Sequence, residues 1–285
     1  MTENPLLLGA VAYDPKVVTI WDGFQSYFNR LGLAFDYVLY TNYERQVEAL
    51  LAGHIEVAWN SPLAWLQAER IAGKLGQRAE AICMRDTDRD LVSVIVTREA
   101  GPVRSVSDLK GRRVAVGAKD SPQATLIPLY HIAQQGLEPG RDFEVLPFDQ
   151  LAGKHGDHIG GERDTARALI RGDCDAACLI DGNLLLFAQE GTLPAGSVRT
   201  IATTPLYDHC NFTVIDGRMS DSVKLFRELL LGMSYEDPEV RRLLDLEGLK
   251  RWLPGRTDGY QLLSNAVDHF GYLDEFVRAV AARCT

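Results

Sequence analysis

No stretch of this 285-residue chain approaches the roughly 20 consecutive apolar residues that a membrane-spanning helix needs. Direct insertion into a membrane is therefore not expected. Positive charge is also short: 30 Lys and Arg stand against 39 Asp and Glu, a formal net charge of -9. That balance works against a broad basic face, so nucleic acid and anionic membrane surfaces are poor partners. The five cysteines (Cys83, Cys174, Cys178, Cys210 and Cys284) are odd in number and lack framework spacing, which fits reduced thiols. The opening MTENPLLLGAVAYDPK has no basic residue before Lys16, and Gly9 interrupts its apolar run. A secretory leader has a positive start, a longer apolar core and a small-residue cleavage site. The expectation is a cytoplasmic protein, or a periplasmic or extracellular one if a leader has been removed. P-loop, serine-hydrolase, zinc-peptidase and dinucleotide signatures are missing too, and GKLGQ and VGAKDS both fail the phosphate-loop pattern. No cofactor is expected.

What is present is a steady alternation of strand and helix signals. LLLGAVAY, AFDYVLY, IEVAWN, AEAICMR, LVSVIVTR, RRVAVG, DFEVLPF, CDAACLI, VRTIATT and NFTVID read as strands. Helical patterns such as KVVTIWDGFQSYFNRLG and NYERQVEALLAG fall among them, several closed by Gly, and the chain after Asp221 is mostly helical. This order predicts an α/β protein with largely parallel sheets, in about two domains. Within it, ALLAGHIEVAWNSPLAWL (49–66) echoes ALIRGDCDAACLIDGNLLL (168–186). Ala49, Leu50, Gly53, Glu56 and Ala58 fall in step with Ala168, Leu169, Gly172, Asp175 and Ala177, and Tyr43 falls in step with Glu162. The echo predicts two lobes built from one kind of unit. Ligands of open α/β sheets bind beyond the carboxyl ends of strands. The loops to watch are therefore 13–17, 40–43, 59–62, 119–125, 158–163, 180–183 and 208–211.

The pieces YERQVEALLAGHIEVAWNSPLAWL, SVSDLKGRRVAVGAKDSPQATLIPLYHIAQQGLEPGRDFEVL and GERDTARALIRGDCDAACLI resemble the phosphonate/phosphite-type substrate-binding proteins of ABC transporters. The resemblance implies a two-lobed type II periplasmic-binding-protein-like fold with two hinge crossings. Residues 1–95 and 206–285 would form lobe 1 and 96–205 lobe 2, with hinges near 91–97 and 203–211. It implies a small polar ligand, phosphonate-like or amine-bearing and zwitterionic, held in the cleft between lobes by hinge closure, and a membrane permease as partner if the protein is exported. The expected ligand contacts are Tyr13, Tyr43, Asn60, Ser61, Ser121, Gln123, Thr125, Glu162, Arg163, Asp181, His209 and Asn211.

The chain departs from that family at the ligand turn. A Ser-Thr-Ser-Gly-like phosphonate clamp at a helix start is replaced by Ser121-Pro122-Gln123-Ala124, with Pro122 removing one N–H donor. Glu162 stands where the family usually has His, and a buried carboxylate disfavours a dianionic ligand unless Arg163 compensates or the ligand carries an amine or amidine. The alternative is a cytosolic enzyme on the same scaffold, resembling the menaquinone-pathway dehydratase or the thiamine-pyrimidine synthase. Glu162, Asp181, His158 and His209 would then be its titratable groups. The lack of an acid–base constellation leans against catalysis. A third reading is an interaction domain of a larger signalling protein. KHGDHIGGE groups His155, Asp157, His158 and Glu162, but it reads more simply as a polar loop, so no metal is expected. His209 and Cys210 could form a nucleophile pair, yet neighbours on a strand point to opposite faces, which argues against their contact.

Overall fold

In the computed structural model, residues 4–151, 153–156 and 160–284 are described. In chain order the elements begin with β1 (Leu6–Val11), α1 (Lys16–Arg30), β2 (Phe35–Tyr40), α2 (Tyr43–Ala52), β3 (Val57–Asn60), α3 (Pro62–Lys74) and β4 (Ala79–Arg85). Next come β5 (Ser93–Arg98), β6 (Arg113–Val116), α4 (Ile127–Ala133), β7 (Glu144–Pro147), α5 (Gly160–Arg171), β8 (Ala176–Ile180), α6 (Asp181–Gln189) and β9 (Val198–Thr203). The chain ends with β10 (Asn211–Ile215), α7 (Asp221–Leu231), α8 (Pro238–Glu247), β11 (Trp252–Pro254), α9 (Gln261–Phe270) and α10 (Asp274–Cys284).

These elements form two compact units. Unit 1 comprises Met1–Arg89, Asp208–Tyr260 and Gly271–Thr285, and unit 2 comprises Asp90–Tyr207 and Gln261–Phe270. The expected boundaries near 95 and 205 give way to 89/90 and 207/208. The expectation that 206–285 lies wholly in lobe 1 fails at α9, which packs on α4 of unit 2, with His269 Nε2 3.1 Å from Glu138.

Each unit has one mixed sheet, with strand order β11-β4-β10-β3-β1-β2 in unit 1 and β7-β6-β8-β5-β9 in unit 2. The expectation of largely parallel sheets holds only for β2-β1-β3 and β7-β6-β8. The pairings of β10, β4 and β11, and of β5 with β8 and β9, are antiparallel. β5 and β10 follow the crossings at 89/90 and 207/208, and no βαβ crossover sets their direction. In unit 2 the alternation of strand side chains divides the core. Ile95, Val114, Val116, Ala176 and Cys178 pack on one face, and Val94, Val96, Ala115, Ala177 and Leu179 on the other. In unit 1, α1 turns Val17, Ile20, Trp21, Phe24 and Phe28 inward at helical spacing.

The echo in the sequence is an echo in space. α2 and α5 run into Gly53 (φ +75°) and Gly172 (φ +84°), a left-handed turn that glycine adopts without Cβ cost. The acid after the turn then clasps the start of a neighbouring strand. Leu7 N–H donates to Glu56 Oε2 and Glu56 N–H to Leu7 O, while Arg113 N–H donates to Asp175 Oδ2 and Asp175 N–H to Arg113 O. An arginine from elsewhere ties down each helix end: Arg218 donates to the Leu50 and Leu51 carbonyls, and Arg98 to those of Leu169 and Cys174.

Phe212 on β10 is fully buried, with ring centroids 4.6 Å from Trp59, 5.1 Å from Phe226 and 5.2 Å from Trp252. Phe212→Ala is expected to cost about 3–5 kcal/mol of stability in urea unfolding. Leu206→Ala, at a side chain 60% exposed, should stay within about 0.5 kcal/mol of wild type.

Candidate functional site

In unit 2 the loops after β6 and β8 converge on Ser121. Residues 122–126 form a wide π-type turn in which Leu126 N–H donates to Ser121 O at 3.0 Å. The Ser121 hydroxyl accepts from Ala124 N–H at 3.2 Å, and Thr125 Oγ1 donates to Ala118 O. Both hydroxyls thus serve the turn itself. Ser121, Gln123 and Thr125 are buried, and loop 153–156 lies over them. Gln123 Nε2 donates to Gly156 O at 2.8 Å, and Asp120 Oδ2 accepts from Gly153 N–H and His155 N–H. A Cβ at Gly156 would stand 2.2 Å from Ser121 Oγ, so this close approach requires glycine. The sequence pictures an open socket of bare N–H groups, whereas the structure has a covered turn.

Glu162, in the first turn of α5, is 3% exposed, and its Oε2 accepts from Ile180 N–H at 2.9 Å. Burial pushes its carboxyl up to about 7, opposed by hydrogen bonds from Ile180 N–H and the side chains of Asn183 and Gln123. No cation is among these causes. Arg163 does not compensate Glu162. It pairs with Glu190 (2.8 and 3.1 Å) and covers the Phe187 ring, because the next residue on a helix faces about 100° away. Asp181 opens α6, exposed, and accepts from Gly182 N–H. Two buried acceptors here, Gln123 Oε1 and Asp120 Oδ1, have no hydrogen-bond partner. The Gln123 amide cannot be turned to relieve this, since both Gly156 O and Glu162 require its NH2 group. The turn is therefore rich in acceptors and short of donors. Asp157 and His158 lie outside the described residues.

In unit 1, Asn60 and Asn211 belong to a buried polar line rather than an open loop. Gln46 Nε2 donates to Asn60 Oδ1 (2.8 Å), Asn60 Nδ2 to Thr213 Oγ1 (2.9 Å), Thr213 Oγ1 to Asn211 Oδ1 (2.7 Å) and Asn211 Nδ2 to Tyr260 OH (2.8 Å). The Tyr260 hydroxyl ends the line on His209 O. Ser61 caps α3 through Ala64 N–H. Tyr43 opens α2, fully buried, and Tyr13 is half-buried against the core with Lys16 Nζ 5.7 Å from its ring centroid. Gln46, Thr213, Tyr260 and Asp120 are absent from the residues expected from sequence. Only Asp120, beside Ser121, had a local signal.

His209 and Cys210 do touch, contrary to the strand argument: Cys210 Sγ is 3.1 Å from His209 Nδ1. Both precede β10, so strand alternation does not govern them. Asp88 Oδ1 lies 3.4 Å from the same nitrogen. Asp88 also takes both Nε and Nη2 of Arg85, which reaches Glu247 as well. Burial pushes the Asp88 carboxyl up, but the charge of Arg85 and hydrogen bonds from His209 and Arg85 outweigh it and hold it at about 2.

A family model described as "ABC transporter, phosphonate, periplasmic substrate-binding protein" matches residues 10–260. The chain belongs to this family. The substrate-binding reading expected from the sequence therefore stands, as does the two-lobed α/β fold class. Among curated relatives, the probable ABC transporter phosphite binding protein PhnD1 of Prochlorococcus marinus is 20% identical over 246 residues, 81% of this chain and 77% of that protein. The structure of PhnD1 with methylphosphonate has a TM-score of 0.69 at 19% identity, covering 94% of this chain and 99% of that one. XAC2383 of Xanthomonas citri bound to chloride ion has a TM-score of 0.68 at 17% identity, covering 98% and 99%. Among the described residues of this family member, no helix is long and apolar enough to cross a membrane.

Glu162 also makes this binding protein's stability depend on pH. Its folded carboxyl, at about 7, lies above the ordinary 4.5, so the folded state keeps a proton that the unfolded chain releases. Its contribution is full below pH 4.5 and is lost as pH rises to about 7, amounting to roughly 3 kcal/mol. Thermal melts of wild type and Glu162→Gln across that range should diverge, with the wild type losing more stability toward neutral pH. Glu247, raised in the same way, cancels in the difference.

Proposed function

We propose that this substrate-binding protein takes a small polar solute that presents hydrogen-bond donors, an amine, amidine or zwitterion, at the Ser121 turn and Glu162. The observation that carries this reading is the surplus of buried acceptors in unit 2: the Glu162 carboxyl, Gln123 Oε1 and Asp120 Oδ1. Buried polar atoms without partners cost about 1–3 kcal/mol each, and an ammonium brings three donors to a place where Gln123 Oε1 and Asp120 Oδ1 have none. Thr125 serves this turn, while Arg163 and Asp181 stand outside it. In unit 1, Tyr13 and His209 are the expected contacts that retain some solvent exposure. A membrane permease of the ABC type is the proposed partner, as the family's name implies, and cell fractionation separates a periplasmic from a cytoplasmic station.

One feature favours a second solute. With its carboxyl near 7, Glu162 is protonated in mildly acidic solution and can itself donate to an oxyanion such as methylphosphonate. Titration calorimetry at pH 6 and pH 8 with β-alanine, ethanolamine, methylphosphonate and methanesulfonate separates the two. The amine-bearing probes should bind best at pH 8 and lose roughly ten- to hundredfold in Glu162→Gln, with Gln123→Met losing affinity in the same order. Tighter binding of methylphosphonate at pH 8, or equal amine affinity in wild type and Glu162→Gln, overturns the proposal. Conversion of any probe into a product would restore the enzyme reading.

A further inference from the structure

The Asp88–His209–Cys210 cluster lies in unit 1 and takes no part in the solute site proposed above. A cysteine nucleophile reading fails on geometry. A thiol–imidazole–carboxylate relay requires the imidazole to meet thiol and carboxylate through opposite nitrogens. Here both face Nδ1, at 3.1 Å from Cys210 Sγ and 3.4 Å from Asp88 Oδ1, and Nε2 is buried without a partner.

The same arrangement suits a metal. The three donor atoms lie within 4.8 Å of one another and all three residues are buried or nearly so. Around a tetrahedral zinc ion, ordinary bond lengths set a nitrogen–oxygen edge of about 3.3 Å and a nitrogen–sulfur edge of about 3.6 Å. The observed separations match the first and need a small opening for the second. The charge is compatible as well: Arg85 pairs with both Asp88 and Glu247, and a dication bound with loss of the thiol proton adds one positive charge beside these two carboxyl groups. Arg85, meanwhile, holds the Asp88 carboxylate in place through Nε and Nη2, as outer-shell partners of metal ligands do.

We propose that Asp88 Oδ1, His209 Nδ1 and Cys210 Sγ form a three-ligand site for a thiophilic divalent cation of the zinc class. On binding, the sulfur–metal bond forms and the thiol proton passes to solvent. No change in oxidation state is involved. The fourth position is open to a water molecule.

The test is titration of the chelator-stripped, full-length protein with cobalt(II) under a non-thiol reductant. One equivalent should produce a thiolate-to-cobalt charge-transfer band that zinc then abolishes. Cys210→Ser should lose the band, and His209→Ala should weaken binding by about tenfold or more. Cys83→Ala, at a buried thiol outside the cluster, should keep it. Circular dichroism and melting of each apo-variant separate lost binding from lost fold. Absence of the band in wild type overturns the site, as does its survival in Cys210→Ser. Both outcomes leave the amine-binding result at Glu162 untouched.

Discussion

A polar group taken out of water must find its partner within the chain, and this constraint organises both units. In unit 1 it is met by the line Gln46–Asn60–Thr213–Asn211–Tyr260, which joins α2, β3, β10 and the segment after β11. Apart from Gln46 Oε1, which has no partner, the amides and hydroxyls along that line are satisfied by one another in one geometry. The line therefore ties the antiparallel entry of β10 to the parallel β1–β3 pair more specifically than apolar packing does. Aromatic burial around Phe212 stabilises unit 1, and the polar line adds specificity to the pairing of β10 with β3.

The constraint is met twice more by the repeated clasp of helix end, left-handed glycine and acid. Glu56 and Asp175 each accept from the first residues of a neighbouring strand, and Arg218 and Arg98 each take the carbonyls that a helix end leaves without donors. The two units thus share a local solution although their sheets differ in strand number and order. Around Ser121 the constraint is met only in part. Among the described residues no cation acts on the buried Glu162, and two neighbouring acceptors stay unpaired. Unpartnered buried atoms occur elsewhere too, Gln46 Oε1 and His209 Nε2 among them, but around Ser121 two acceptors stand beside a buried carboxylate, and the proposed solute site rests on that grouping.

Membership of the phosphonate substrate-binding family fixes the kind of work the chain does, and its departures from the family bear on the cargo. Where a phosphonate asks for donors, this chain offers acceptors. Pro122 has no N–H, the Ser121 hydroxyl accepts from Ala124 of its own turn, and Arg163, the residue after Glu162, is engaged with Glu190. The Asp88–His209–Cys210 cluster answers the same constraint by a different chemistry, with a cation as the partner that three buried donor atoms share.

Periodicity, glycine placement and spacing carried the element order, because each depends on neighbours along the chain. The helices α1 and α2, the glycine stops and the internal echo of 49–66 in 168–186 were legible for that reason, as was the prominence of Glu162. The direction of β5 and β10, the docking of α9 on unit 2 and the short β11 were not, since pairing across more than a hundred residues leaves no local trace. Side-chain destinies separated in the same way. Asn60 and Asn211 look like loop amides in the sequence, yet Thr213 and Tyr260, brought from far along the chain, claim them for the interior. Cys210 meets His209 because both precede β10, which begins at Asn211, so strand alternation does not set their directions. Local chemistry decided which groups sit at strand ends. Only the tertiary structure decided which of them had partners already, because a hydrogen bond is set by distance in space and not by distance in sequence.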